Sequence, residues 1–156
     1  MSLYTACVPV FRHYLARAQE MAEAYPEVLG AHIADAFPAG QHFATAAGFA
    51  LRVACPLAGR DIPDLPRALS PRLAVVRATL GAMRPEEFQG AEARRIQHKA
   101  GFADLDQSAE EFVYLYGVPN FFFHLTMGYA ALRGAGVALG KADFDGFHAY
   151  PRDFRF

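Results

Sequence analysis

The sequence predicts an all-α fold, a single-domain four-helix bundle, on three observations. Four segments repeat their apolar residues at three- and four-residue steps, the spacing that lines one face of an α-helix. Stretches holding proline, glycine and charge separate them, the longest polar connector falling between the second and third. The chain of 156 residues is 53% hydrophobic and 20% charged, enough to bury one core without disulfide or metal staples.

The first helix is read from Leu3, Cys7, Val10, Phe11, Tyr14, Leu15, Ala18, Met21 and Ala22, with Arg12, Arg17, Gln19, Glu20 and Glu23 opposite. Pro9 lacks a backbone N–H, so a kink there or a later start is expected. The second helix opens near Pro38 and buries His42, Phe43, Ala46, Phe49, Ala50, Val53 and Leu57, with Pro56 a second kink or stop. Residues 59–66 hold two prolines and no helical period, as an ordered surface connector does. Ser70 and Pro71 read as N-cap and first residue of the third helix, whose face is Leu73, Val76, Leu80 and Met83 and which Arg84 and Pro85 end.

Residues 86–106 are mixed and charged, and the alternation Arg95-Ile96-Gln97-His98 fits a small hairpin or irregular chain. Ser108 through Glu111 form a capping box ahead of Phe112-Val113-Tyr114-Leu115-Tyr116. Gly117-Val118-Pro119 breaks or bends this fourth helix, which resumes through Arg133 and stops at Gly134-Ala135-Gly136. The organisation read is a bundle over 1–146 and an aromatic tail over 147–156.

Fifteen basic against sixteen acidic residues leave a net charge of −1, which offers no field for nucleic acid or an anionic membrane. No apolar stretch approaches the roughly 20 residues a membrane helix needs, and no leader is seen, so a cytoplasmic protein is expected. Cys7 and Cys55 make no CxxC pair and read as reduced thiols, Cys7 inert on its helix's apolar stripe.

His124 stands alone in the aromatic run PNFFFHLTMGYAALR. Three readings apply: a neutral core histidine, a metal or catalytic site shared with His42, or a ligand pocket without catalysis. His42 lies on the apolar stripe of its own helix, so the two rings are expected to face one another. Asn120, Thr126 and Tyr129 are the candidate pocket residues around them, with the alternatives of a helix cap, a back-bonded hydroxyl and a core ring. Phe121, Phe122 and Phe123 cover most of the helix circumference, which argues that one ring meets another helix or a second subunit. Five rings in the tail, Phe144, Phe147, Tyr150, Phe154 and Phe156, beside Arg152 and Arg155, are expected to be buried by docking or by folding back. Residues 135–142 lack the first glycine and the Ser/Thr of a phosphate loop. Lys141 and Asp143 fit a tail ion pair, and His13, His32, His98 and His148 share no metal-ligand spacing and read as incidental.

PNFFFHLTMGYAALRGAGVALGKADF, with the opening MSLYTACVPVFRHYL and PLAGRDIP, resembles an uncharacterised family of the DinB/YfiT-like four-helix bundles. The resemblance runs from Met1 to about Gly146 and implies a bundle, a homodimer, and a superfamily whose metal-bearing members use three histidines and include thiol-dependent transferases. Those sites take one histidine from the second helix and a His-x-x-x-His pair from the last. Here Gly128 stands four residues after His124 and Asn120 four before, so the pair is missing. The expectation is therefore a homodimeric small-molecule-binding or interaction module with a degenerate site and no required cofactor. The alternative is a thiol transferase-like or hydrolase-like enzyme with a divalent metal, zinc or nickel, on His42 and His124.

Overall fold

The computed structural model describes residues 2–151. Its first helix, α1 (Leu3–Ala24), starts where the Ser2 hydroxyl accepts the Thr5 N–H at 3.3 Å, and Pro9 sits on its exposed side without delaying it. Cys7, Val8, Phe11, Leu15 and Ala18 face inward, Val8 taking the core place read for Val10. The second helix, α2 (Ala39–Ala58), passes through Pro56 and stops at Gly59, whose φ of 67° is the left-handed cap glycine tolerates. It is the central helix, packed on its three neighbours, and its alanines at 46, 47, 50 and 54 allow close approach.

The third helix, α3 (Leu69–Gly81), begins one residue before Ser70, with Ala68 at the N-cap position. Ser70 and Pro71 therefore fall in its first turn. Proline is tolerated there because first-turn amides have no intrahelical acceptor. Leu73, Val76 and Leu80 are buried, as is Met83 just past the helix end. A two-stranded antiparallel hairpin follows, β1 (Arg95–Ala100) and β2 (Ala103–Ser108), with Arg95 opposite Ser108 and Ala100 opposite Ala103. It is the only sheet among the described residues.

The fourth bundle helix is continuous across three segments. A first turn, α4 (Ala109–Glu111), is capped reciprocally by Ser108 and Glu111. The helix then widens into a π-helical stretch (Phe112–Gly117) and tightens again as α5 (Val118–Gly134). The break read at Gly117-Val118-Pro119 is thus a widening. A π turn relieves the clash between the Pro119 ring and the carbonyl four residues earlier, so the chain stays helical. A Cβ on Gly117 would overlap Val53, which explains the glycine.

A short helix not read from the sequence, α6 (Lys141–Asp145), packs on α1 through Phe144 and Tyr14. The Asp143 carboxylate accepts the Gly140 N–H at 2.7 Å and so caps α6 where an ion pair with Lys141 was expected. Within the single chain the described tail rings are covered only in part by the bundle. Phe144 is half-buried, Phe147 is 75% exposed although one face stacks on the His13 ring at 4.8 Å, and Tyr150 is 39% exposed, the chain turning at Gly146 with φ 73°. Phe154, Phe156, Arg152 and Arg155 lie outside the described residues. Among those described, no helix is long and apolar enough to cross a membrane.

Candidate functional site: an imidazole pair in an aromatic row

His42 enters the core on the second turn of α2, only 3% exposed, and His124 meets it from the middle of α5. Their Nδ1 atoms lie 3.0 Å apart with ring centroids at 5.2 Å. Burial lowers the pKa of His42; burial and then the charge of its neighbour lower that of His124. Both rings are therefore held neutral at ordinary pH. A neutral imidazole has one N–H, so one Nδ1 donates and the other accepts. The Nε2 of His42 is buried and has no hydrogen-bond partner. A buried N–H without an acceptor is costlier than a bare lone pair, so the hydrogen belongs on His42 Nδ1, which donates to His124. His42 Nε2 is left as an unused acceptor.

Aromatic rings enclose the pair. Phe37, in the loop before α2, lies 5.6 Å from His42 and nearly parallel to His124 at 6.4 Å, and Phe123 stands edge-on to both histidines. Both phenylalanines are about half exposed, at 47% and 56%. On the inner side Phe49 stacks on His124 at 5.6 Å and continues to Tyr116 at 5.8 Å. From Tyr116 the row passes to His98 at 4.3 Å, and from His98 to Phe112 at 4.8 Å. Sequence reasoning missed Phe37, Tyr116 and His98 as members of this row. Phe49 was legible as core, seven residues beyond His42 on the same face of α2.

The other pocket candidates do not join the pair. The Asn120 amide donates to the Tyr116 carbonyl at 2.7 Å, bridging the π segment to α5. Thr126 is exposed, and Tyr129 packs edge-on against Phe144 at 5.4 Å, turned toward the C-terminal helix. Of the remaining histidines, read as exposed or incidental, His32 and His148 are exposed, and the His32 ring bonds the Ala34 carbonyl two residues on. His98 Nε2 bonds Gln107 Oε1 at 2.7 Å, while its Nδ1 is buried without a partner. His13 bonds the Asp145 carbonyl at 2.7 Å and stacks on Phe147, and the His148 ring pairs with the Asp145 carboxylate. Cys7 and Cys55 are free and buried, their thiols pushed up to about 12 and about 11 chiefly by burial, so neither is a thiolate nucleophile.

The donor set does not fit a three-histidine metal centre. Among the described residues no three His, Cys, Asp or Glu side chains are grouped to hold an ion. Of the two positions where a second α5 histidine could stand, Asn120 donates to the Tyr116 carbonyl, and at Gly128 a Cβ would lie 2.6 Å from the Phe43 ring, which fills the space there.

The family described as "Domain of unknown function (DUF1993)" matches residues 2–145. The chain belongs to the DUF1993 family. A DinB family member protein from Shewanella denitrificans, known from a crystal structure, is similar with 27% identity, a TM-score of 0.75, and coverage of 96% of this chain and 94% of that one. The DUF1993 chain is therefore a DinB-like helical bundle. No curated protein matches it.

Proposed function

We propose that this DinB-like bundle is a binding module that takes a small hydrogen-bond-donating ligand at the His42–His124 pair. The supporting observation is the buried, unpartnered Nε2 of His42 behind two half-exposed phenylalanines. A donor group there would satisfy the lone pair, and Phe37 and Phe123 would flank an apolar body. The test is a long-range ¹H–¹⁵N correlation of the histidine nitrogens during titration with phenol and, separately, with zinc chloride. Phenol should move His42 Nε2 selectively and saturably. If neither probe moves it, the pair only fastens α2 to α5 and the reading fails. Stoichiometric zinc uptake perturbing both rings would favour the metal enzyme instead.

A second copy of the chain is the proposed protein partner. On the outer side of the fourth helix Leu115, Pro119 and Phe123 recur at four-residue steps and all are exposed, Leu115 at 71%. Such a stripe suits a helix face that meets its own copy. Two buried thiols fit a reducing, cytoplasmic setting.

A further inference from the structure

Two cavities adjoin along α2 on the side of the 59–66 connector. One, of about 550 Å³, lies between α2, the connector and the hairpin and is lined by Arg52, Arg94, Arg95, Ile62 and Phe112, among others. The other, of about 380 Å³, is lined by Arg52, Arg72, Ile62 and Phe49. Arg52 and Ile62 belong to both, so the two read as one groove. Four guanidinium groups line it and no carboxylate does, in a protein whose overall charge is −1.

The hydrogen bonds of these arginines separate their roles. Arg95 is neutralised by Asp106, with Nε to Oδ1 at 2.8 Å. Arg94 donates to the Pro56 and Leu57 carbonyls at the end of α2, and Arg72 to the Pro66 and Ala44 carbonyls. Those two are fixed in place, yet their charge meets no carboxylate in these bonds. Arg52 is exposed; its guanidinium lies 5.3 Å above the Phe49 ring and donates from Nη1 to the Tyr116 hydroxyl at 3.2 Å. The remaining donors of Arg52 make no hydrogen bond within the described chain. A planar fork of donors held over a ring, with two fixed cations beside it and Ile62 bridging both cavities, matches a carboxylate attached to an apolar body.

We propose that this groove binds a small organic carboxylate, with Arg52 taking the carboxylate, Arg72 and Arg94 supplying the field, and Ile62 covering the apolar part. The inference is independent of a ligand at the imidazole pair, although the groove shares Phe49, His98 and Phe112 with the aromatic row beside that pair. Its test compares benzoate with benzamide, which keeps the ring and removes the charge, by following the Ile62 methyl and the Arg52 Nε–H signals of the full chain. Benzoate should bind saturably in the millimolar range, as a fragment of its size does, and benzamide at least about tenfold more weakly. Arg52→Gln, at an exposed position, should weaken benzoate by about tenfold, and Arg133→Gln, on the exposed end of α5, should leave it unchanged. Equal binding of benzoate and benzamide, no saturable benzoate shift at these signals, or undiminished benzoate binding by Arg52→Gln would overturn the proposal.

Discussion

The ring of Phe43 fills the space that any side chain at Gly128 would need: a Cβ would lie 2.6 and 2.8 Å from two of its carbons. Alanine normally stabilises a helix relative to glycine by about 0.5–1 kcal/mol. At this contact overpacking opposes that gain, and Phe43 is fully buried with little room to shift. Gly128→Ala should therefore destabilise the protein by a net of about 1–2 kcal/mol in urea unfolding. Gly134→Ala, where nothing lies within 4 Å of the added carbon, should be neutral or stabilising. Equal effects of the two would remove the steric argument.

The same contact bears on metal retention. Protein loaded with zinc or nickel should lose the ion on dialysis against a weak chelator, because two imidazoles are too few protein ligands for a strong site. One ion per chain surviving that dialysis, by elemental analysis, would show a further protein ligand, with Asn120, Gln41 or a carboxylate the first to examine.

Protonation of the imidazole pair opposes folding. Both pKa values are lowered in the folded state, so the stability each ring contributes is fully present above the ordinary histidine value of 6.5 and is lost as pH falls through the lowered one. The melting temperature should fall between pH 7.5 and pH 5, by an amount that shrinks in the double variant His42→Leu with His124→Leu. His124→Phe alone should cost about 1–3 kcal/mol, since it leaves both His42 nitrogens unpaired in the core. A double-mutant cycle on the pair should show the coupling, and additive single effects would contradict it.

Asp145 anchors the chain that follows α6. Burial raises its pKa, but the N–H groups of Phe147 and His148 and the His148 ring outweigh this and bring it from 3.8 to about 2. This anchoring is present above the ordinary carboxylate value and is lost as pH falls toward 2. Asp145→Asn should expose residues 146–151 to limited proteolysis at neutral pH while the helical circular dichroism stays unchanged. Protection equal to that of the parent would show that the His13–Phe147 stack holds this stretch without the carboxylate.

Sedimentation at micromolar concentration should give a dimer, and Leu115→Glu with Phe123→Glu should give a folded monomer. Truncation after Gly146 separates the roles of the tail. Loss of the dimer with helix content intact assigns it to docking between copies, whereas a dimer with a lower melting temperature assigns it to its own bundle. A monomeric full-length chain would overturn the oligomer.

The legible part of the fold was the part whose signal is periodic. The apolar spacing of α1, α2 and α3 and the Ser108–Glu111 cap located those elements to within a residue or two. Helix α6 escaped because five residues are too few to show a period, and its start is defined by an Asp143 cap read as an ion pair. The pairing of His42 with His124 followed from two stripes facing one core. The aromatic row did not, since Phe37 comes from a loop and His98 from a hairpin, and no spacing within one element relates them to α5. Of the residues around the pair, Tyr129 takes the core-ring alternative and Thr126 is exposed. The side of α5 that meets α2 is set by the close approach of Gly128 to Phe43, and Tyr129 is turned toward Phe144 of α6 instead.

The π turn at 112–117 sets the rotational phase of everything after it. It holds more residues per turn than an α-helix, so the chain upstream and downstream are out of step with a uniform helix by about one residue, or roughly 100°. Phe112 is buried upstream, and His124 meets α2 downstream. Removing one residue from this stretch would let an ordinary α-helix form, and one of those two contacts would have to turn away from its partner. The irregular turn is therefore what allows the hairpin end of the helix and its histidine end to face the same side of α2, and a related chain without it would need a different residue opposite position 42.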